Sequence, residues 1–353
     1  MLRSIDIMLG IDSRAARITW TAFLILLLLE LAWLARTTLL VFTIALLLAY
    51  LLHPLVDLAR KFLPPKWPRA ISPSLIYLTG LAVVVAAVLV IGTQIATEAS
   101  QLASRLPEFL KQRDTMLERH LPSILAPYRD QIAGALSEQL ETGKEMILPA
   151  LSAIGKGLVS QLSMFLFAVL IPILAFLIEL SLDDIRTAIV GLFTRDDHQE
   201  LVQNIVNDID ALLGLYMRAV FLLALATFTS HMLVFGVAGV PYAVLLAGVC
   251  GLLEFVPVVG PLSGVVIVSL VAAFSGYAHV GGLIIFFLIY RLFQDYVLQP
   301  ILYSHGIEMH PLLVLFGVLA GEQVGGITGM FLSVPLLAVF RIIYRRSLAI
   351  TTE

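Results

Sequence analysis

The sequence predicts an all-α integral membrane protein with about six to eight transmembrane helices, including two broken or re-entrant helical hairpins, plus a helical extramembrane segment. Composition gives the class. Hydrophobic residues make up 59% of the 353-residue chain and charged residues only 13%, whereas a soluble domain carries about 25% charged residues. The mean hydropathy is +0.98, and apolar runs recur along the whole chain. The lipid bilayer is therefore the first expected partner.

Composition and motifs also exclude several other classes of protein. The net charge is only -3, and no run of lysines or arginines offers a surface for nucleic acid. The pattern G-x-x-x-x-G-K-[ST] is absent, so no nucleotide is expected. No H-E-x-x-H pair occurs, and Asp295 is the only aspartate in the membrane core, so neither a metalloprotease nor an intramembrane aspartyl protease is predicted. We expect no enzyme, no metal and no cofactor.

The first predicted unit, residues 1–96, contains three membrane helices. Only two residues, Arg36 and Thr37, separate the first two apolar runs, so an antiparallel hairpin is expected between them. The second helix is expected to break at His53 and Pro54. The predicted helices cover 18–35, 38–55 and 73–96.

Charge around these helices predicts their orientation. Residues 60–69 contain four basic side chains and no acidic ones. Cytoplasmic loops carry an excess of lysine and arginine, so this loop and the N-terminus are expected in the cytoplasm. The protein is accordingly expected to be a multi-pass protein of the bacterial inner membrane, with both termini cytoplasmic.

The next two predicted units join the membrane helices. Residues 97–156 show apolar residues at helical spacing, cut by prolines into short amphipathic helices on the periplasmic side. These helices could pack together, lie on the membrane, or cover a pathway, and a structural cap or oligomer contact is favoured over a ligand-binding domain because His120 stands alone. Residues 157–210 supply a fourth membrane helix and a cytoplasmic amphipathic linker helix.

Residues 211–345 are predicted to form a transport core, followed by a cytoplasmic tail over 346–353. Glycine and proline interrupt its apolar runs in EFVPVVGP (254–261) and GEQVGGITG (321–329), and each interruption contains an acidic residue. One full helix lies between them, so two helix-plus-hairpin modules of opposite orientation are expected, as in many secondary transporters. A chain with eight full crossings fits the charges equally well.

One polar face stands out in an apolar helix of this core. Arg291 and Asp295 are one helical turn apart, so they point the same way and can neutralise each other. A charge facing acyl chains is costly, so this face, which also carries Gln294 and Gln299, is predicted to turn toward protein or a water-filled cavity. A transport route and a purely structural ion pair are weighted equally. The lone His231 and the tyrosines, Tyr290 among them, are interpreted as packing residues.

These segments resemble the bacterial autoinducer-2 exporter family over roughly residues 20–345. The resemblance is carried by VPVVGP and by the long segment from Asp295 to Phe340. It implies an inner-membrane exporter, with some members linked to the signal autoinducer-2 and others to exchange of sodium or lithium for protons, and it implies a homo-oligomer. At GEQVGG the sequence differs from the family pattern, in which a bulky apolar residue usually stands before the next glycine of this glycine-rich stretch. This difference bears on the identity of the substrate more than on the fold. The most specific matching residues are Pro257, Gly260, Pro261, Asp295, Pro300, His310, Pro311, Gly321, Gly326, Gly329 and Pro335.

The resulting hypothesis is a secondary-active exporter that works by alternating access on a small solute. Asp295 would carry the coupling ion or proton, and Arg291 would set its protonation state. The alternatives are a sodium(lithium)/proton antiporter on the same scaffold and, from a different class, a passive pore or an envelope-organising protein. The predicted pathway residues are Asp295, Arg291, Gln294, Gln299, Glu254, Pro257, Gly260, Pro261, His310, Glu322, Gly326 and Gly329.

Overall fold

The structure is a computed structural model that describes residues 7–8, 11–64, 68, 71–111, 149, 152, 162–303 and 309–351. Two short strands, β1 (Ile7–Met8) and β2 (Ile11–Asp12), pair antiparallel ahead of the first helix. All other regular structure in the described ranges is helical. The predicted all-α membrane class is therefore confirmed.

Five helices precede the predicted transport core within the described residues. The fourth leads into the predicted extramembrane segment, and the fifth extends well beyond the predicted end of the fourth membrane helix. They are α1 (Ser13–Leu34), α2 (Arg36–Phe62), α3 (Ile71–Val90), α4 (Gly92–Lys111) and α5 (Leu162–Gly191).

The predicted core begins inside a 43-residue helix and ends in a long bent one. Between them lie shorter helices and one π-helical segment, Gln294–Leu298. The helices are α6 (Asp196–Ala238), α7 (Ala243–Leu253), α8 (Val259–Phe274), α9 (Val280–Phe293), α10 (Gln299–Tyr303) and α11 (Pro311–Thr351).

Five helices in the described part of the chain are long and apolar enough to cross a membrane. Shorter apolar helices, such as α7 and α8, accompany them. The number of crossings and the boundaries of the predicted units stay predictions. The five segments are Arg17–Leu34, Arg36–Phe62, Asp196–Ala238, Val280–Leu302 and Pro311–Leu348.

The antiparallel hairpin expected between the first two helices is wrong. Helical hydrogen bonds cross the junction, from the Ala35 amide to the Leu31 carbonyl and from the Leu39 amide to the Ala35 carbonyl, both 2.9 Å. Only Ala35 leaves the helical conformation. No glycine or proline lies at this junction, so α1 leads into α2 without the reversal that a hairpin needs.

The break expected at His53 and Pro54 is also wrong, because α2 continues through Pro54 to Phe62. A proline inside a helix removes one hydrogen bond and bends the chain. Here packing outweighs that cost, since buried Ala45, Ala49 and Val56 share a core cluster with residues of α5.

The polar residues predicted as a linker and the apolar residues that begin the predicted core belong to one uninterrupted helix, α6. It ends where Gly239 adopts a left-handed conformation with φ 68°. The Val240 amide then donates to the Phe235 carbonyl at 2.9 Å, which satisfies a carbonyl at the helix end. A long rigid element thus joins the predicted cytoplasmic region to the core.

Both predicted interruptions are present as tight helical hairpins. A Cβ atom at Gly260 would collide with the Leu253 carbonyl, so α8 folds back closely against the end of α7. In α11 the backbone is non-helical at Gly325 and Gly326. There Gly321 lies against Gly329, which only residues without a side chain permit.

Several predictions fall on residues that the structure does not describe. The short amphipathic helices beyond Lys111, together with His120, lie outside the described residues, as do Lys66 and Arg69 of the basic loop. The first residues of the predicted extramembrane segment belong to α4, which contacts α7. There the Glu98 Oε2 atom accepts a hydrogen bond from the Leu245 amide at 2.8 Å, which caps the start of α7.

Candidate functional site

A polar centre forms where the first hairpin faces α6 and α9. Glu254 directly follows α7. Its Oε1 atom accepts a hydrogen bond from Thr227 Oγ1 at 3.0 Å, and its Oε2 atom accepts one from Gln294 Nε2 at 2.8 Å. A hydroxyl has one proton to donate, so Tyr290 donates in turn to Thr227 Oγ1 at 2.9 Å. Three elements therefore converge on one carboxylate.

The predicted ion pair lies beside this centre. Arg291 Nε donates to Asp295 Oδ2 at 3.0 Å, and Gln299 Nε2 donates to Asp295 Oδ1 at 3.0 Å. The expected face-sharing of Arg291 and Asp295 is thus present. The Arg291 guanidinium thus neutralises the Asp295 carboxylate, and the Gln299 amide supplies a second hydrogen bond to it.

The helix carrying these residues widens into a π-helical segment at Gln294–Leu298. A π-helix inserts extra backbone per turn and is frequent at functional sites. In this segment Gln294 is buried, with 1% of its surface exposed, while the side chain of Asp295 is 39% exposed. Gln294 and Asp295 are adjacent in sequence but lie in different surroundings. Gln294 donates a hydrogen bond to Glu254, whereas Asp295 pairs with Arg291.

Two cavities adjoin the polar centre. Cavity A, about 260 Å³, is bordered by Thr227, His231 and Cys250. Cavity B, about 480 Å³, is bordered by Asp295 and Gln299, and by Tyr216 and Leu223 of α6 among others. Both cavities are lined by Glu254, Val258, Pro261 and Arg291.

Cavity A has aromatic walls that the sequence interpretation treated only as packing. His231 is buried, and its Nδ1 atom lies 2.8 Å from the Thr227 carbonyl oxygen. Its ring meets Tyr290 edge-on at 4.8 Å between centroids and also contacts Phe287. His231 is therefore a packed histidine, as expected, but it also lines a cavity.

Sequence reasoning did not select Thr227, His231 and Tyr290 as site residues. A signal was present: Thr227 and His231 are four residues apart on one helix, as are Tyr290 and Gln294 on another. Each pair puts two polar groups on one face of an otherwise apolar helix. Only the packing of α6 against α9 shows that these faces meet.

The structure brings together one part of the predicted pathway set and separates the other. Gly260 closes the first hairpin, whereas the turn of the second hairpin lies elsewhere, although Val314 and Val334 on its two arms border cavity B. There Gly321 and Gly329 border an apolar cavity of about 850 Å³ with Trp33 and Phe316, while His310, Glu322 and Gly326 are exposed. Of the predicted pathway residues, those that line cavity A, cavity B or both are Glu254, Pro257, Pro261, Arg291, Gln294, Asp295 and Gln299.

A second charged cluster joins α2, α5 and α6. Asp210 accepts a hydrogen bond from the Tyr50 hydroxyl and pairs with Arg186 Nε at 2.6 Å. His53 Nδ1 lies 3.0 Å from Glu179 Oε1, and the Glu179 side chain is fully buried. The sequence interpretation missed this cluster because the contacts that join α2 to the other two helices link residues 160 positions apart, Tyr50 and Asp210, and 126 positions apart, His53 and Glu179.

Among the residues that the structure describes, no group of three His, Cys, Asp or Glu side chains is arranged to hold a metal ion. The polar centre instead offers a carboxylate with neutral oxygen and amide groups around it. Such groups can bind a proton, a hard cation or the hydroxyl groups of a small solute.

Comparison with known proteins gives a family and three similar chains whose names all begin "Putative transport protein". The sequence profile of the AI-2E family transporter matches residues 22–349. YrrI of Bacillus subtilis (strain 168) is 24% identical over 323 residues, 91% of this chain and 90% of YrrI. YueF of the same organism is 25% identical over 311 residues, 84% and 81% of the two chains. MT0215 of Mycobacterium tuberculosis is 33% identical over 129 residues, which are 35% of this chain and 34% of MT0215.

Proposed function

The chain belongs to the AI-2E transporter family, and we propose that within this family it is a secondary-active exporter of a small solute. Family membership and the long apolar helices make it a multi-pass membrane transport protein. The proposal adds the direction, the solute and the mechanism, which is alternating access without nucleotide hydrolysis.

The observation that carries the proposal is the meeting of cavities A and B at Glu254 and Arg291. An ionisable residue inside a membrane segment is expensive and marks a pathway by default. Here such residues stand at the junction of two spaces in an interrupted helical hairpin, the setting in which secondary transporters hold their substrates. A solute could be held there and released to either side in turn.

The two carboxylates take different roles in this proposal. Asp295 carries the coupling ion or proton, and Arg291 neutralises it between cycles. Glu254 and Gln294 bind the solute, since the Glu254 carboxylate is held by neutral donors. Autoinducer-2, which the family resemblance implies, is the first solute to test. Its hydroxyl groups suit the carboxylate, amide and hydroxyl groups around cavity A.

A sodium(lithium)/proton antiporter is the second candidate, and the oxygen groups around Glu254 favour it. The carboxylate, the Thr227 hydroxyl and the Tyr290 hydroxyl lie within one hydrogen-bonded chain. Carboxylate and hydroxyl oxygens suit hard cations. In this version Glu254 binds the metal cation and Asp295 exchanges protons.

The proposal also covers location and assembly. Arg341, Arg345 and Arg346 near the C-terminus favour a cytoplasmic position for that end in the bacterial inner membrane. The matching prediction for the N-terminus depended on the hairpin between α1 and α2, so it is not part of the proposal. A homo-oligomer is proposed from the family resemblance, and chemical cross-linking in membranes tests it.

Reconstituted vesicles test the function. An imposed pH gradient should drive efflux of autoinducer-2 or a related solute in an exporter, and movement of sodium or lithium in an antiporter. Flux that follows only the gradient of the solute itself would contradict both and indicate a passive pore. No flux of any solute or cation would favour the envelope-organising role.

A further inference from the structure

We propose that Val258 is the gate between cavities A and B. Its side chain closes the junction, and its strained backbone allows the turn to change conformation during transport. This inference rests on the proposed function, because it assumes that the two cavities are parts of one transport route. It names a residue that no polar or charged pattern in the sequence indicates.

The backbone at Val258 has an unusual conformation. Its φ and ψ angles are 64° and -59°, and the Val259 amide donates to the Pro257 carbonyl at 2.7 Å. These values define a γ-turn with positive φ, a rare and strained form. A β-branched residue at positive φ is an outlier. Strain of this kind persists only where the surrounding structure holds it, and it clusters at functional sites.

The ends of the turn are held firmly. Pro257 and Pro261 have φ angles fixed by their rings. Gly260 lies directly against the Leu253 carbonyl, and its amide donates to the Val256 carbonyl at 3.0 Å. A rearrangement of the loop would therefore be absorbed at Val258, where a relaxed conformation with negative φ is available.

Val258 also lies where the two cavities meet. It is one of four residues that border both cavities. Of the other three, Glu254 is held by two hydrogen bonds, Arg291 is held by Asp295, and Pro261 belongs to helix α8. Val258 as a whole residue is 44% exposed, so its side chain can leave the junction without opening a packed core.

The two cavities lie one after the other along α6, so a gate between them would control passage from one to the other. Leu223 borders cavity B, whereas Thr227 borders cavity A. They are one helical turn apart, and Tyr216 to His231 spans about 22 Å at 1.5 Å per residue. The two cavities are thus stacked along the helix, and movement of Val258 would connect them.

The chain carries its own probe for this movement. Cys250 is the single cysteine in the sequence, and it is buried against cavity A. A small, membrane-impermeant methanethiosulfonate reagent would be applied separately to each face of sealed vesicles, and modification of Cys250 followed by mass spectrometry. From the face nearer cavity B, Val258→Ala and Val258→Gly should be modified at least tenfold faster than the unsubstituted protein.

Transport gives a second readout that separates the side chain from the backbone. Glycine adopts positive φ without strain, so Val258→Gly should keep the turn in its present conformation. Its coupled transport should be slower than that of Val258→Ala, which keeps a Cβ atom and hence the strain. Equal rates for the two variants would overturn the backbone part of the proposal.

Two controls make the labelling decisive. Cys250→Ser should remove the signal. Val266→Ala deletes the same atoms from an exposed valine of α8 that borders neither cavity, and it should label like the unsubstituted protein. If Val258→Ala and Val258→Gly unfold cooperatively yet label at the unsubstituted rate from both faces, Val258 is not the gate. Labelling that changes in a protein that moves no solute would instead contradict the proposed function and leave the gate intact.

Discussion

Glu254 and Asp295 are both carboxylates of the polar centre, but their neighbours give them different chemistry. Asp295 is neutralised by Arg291 at 3.0 Å. Glu254 accepts hydrogen bonds from the neutral groups of Thr227 and Gln294, and among the described residues it belongs to no ion pair within 4.0 Å. A carboxylate without an internal cationic partner in a core is available to bind a polar solute or a cation. Glu254 is therefore the more adaptable of the two.

The Thr227 hydroxyl links Glu254 to Tyr290, so its removal should destabilise the protein. Thr227→Val keeps the shape but leaves two polar groups without their partner, which costs about 1–3 kcal/mol. Thermal unfolding in detergent would measure the loss. Thr229→Val is the matched control, since exposed Thr229 bonds only to the Leu225 carbonyl of its own helix. A cost below about 0.5 kcal/mol is expected there, and equal losses would remove Thr227 from the site.

Asp295→Asn should abolish coupled transport while the protein stays folded, because a side-chain amide does not take up or release a proton at physiological pH. The partner Arg291 is 41% exposed, so solvent screening should keep the loss of stability within about 1 kcal/mol. Vesicle transport and thermal unfolding of Asp295→Asn, Arg291→Gln and the double variant form a thermodynamic cycle. Full transport in Asp295→Asn would leave the pair with a structural role only.

At the scale of the elements, close glycine contacts set the shape of both hairpins. Gly260→Ala would push a methyl group into the Leu253 carbonyl, so α7 and α8 would have to separate. Overpacking of this kind costs about 1–3 kcal/mol, measurable as a lower unfolding temperature. Gly281→Ala is the control, because Gly281 lies in helix α9 with open space around it, and alanine should stabilise it by about 0.5–1 kcal/mol. A neutral Gly260→Ala would contradict the tight hairpin.

The elements also show what the sequence could predict. The interruptions at Glu254–Pro261 and Gly321–Gly329 were predictable because proline and glycine act locally on the backbone. The hairpin expected after Ala35 is wrong because two polar residues without glycine or proline do not reverse the chain, and the local residues continue the helix. The hydrogen bond from Gln294, in the π-helical segment Gln294–Leu298, to Glu254 could not be predicted, since it joins residues 40 positions apart across the fold.

At the scale of the molecule, α6 connects two polar centres. Asp210, in the first half of α6, contacts Tyr50 of α2 and Arg186 of α5, and Thr227 donates a hydrogen bond to Glu254. Thr227 lies 17 positions after Asp210, which corresponds to about 26 Å of helix. The Arg291–Asp295 pair was predictable from spacing alone, whereas the Asp210 cluster needed the tertiary structure. The Asp210 side chain is less exposed, at 16%, than the Asp295 side chain, at 39%.

This difference predicts a division between stability and transport. The Asp210 side chain is only 16% exposed. Asp210→Asn leaves Arg186 paired with Asp183 at 3.3 Å, but the Asp183 side chain is 83% exposed, and the loss of the half-buried charged hydrogen bond to Asp210 costs about 1.5–3 kcal/mol. The unfolding temperature should fall clearly, while transport per folded molecule is retained. Asp295→Asn should do the reverse. The two variants share one chemical change, so each is the control for the other, with thermal unfolding and vesicle flux measured on the same preparations. If Asp210→Asn stopped transport at unchanged stability, the Asp210 cluster would belong to the transport route, and α6 would connect two parts of one mechanism.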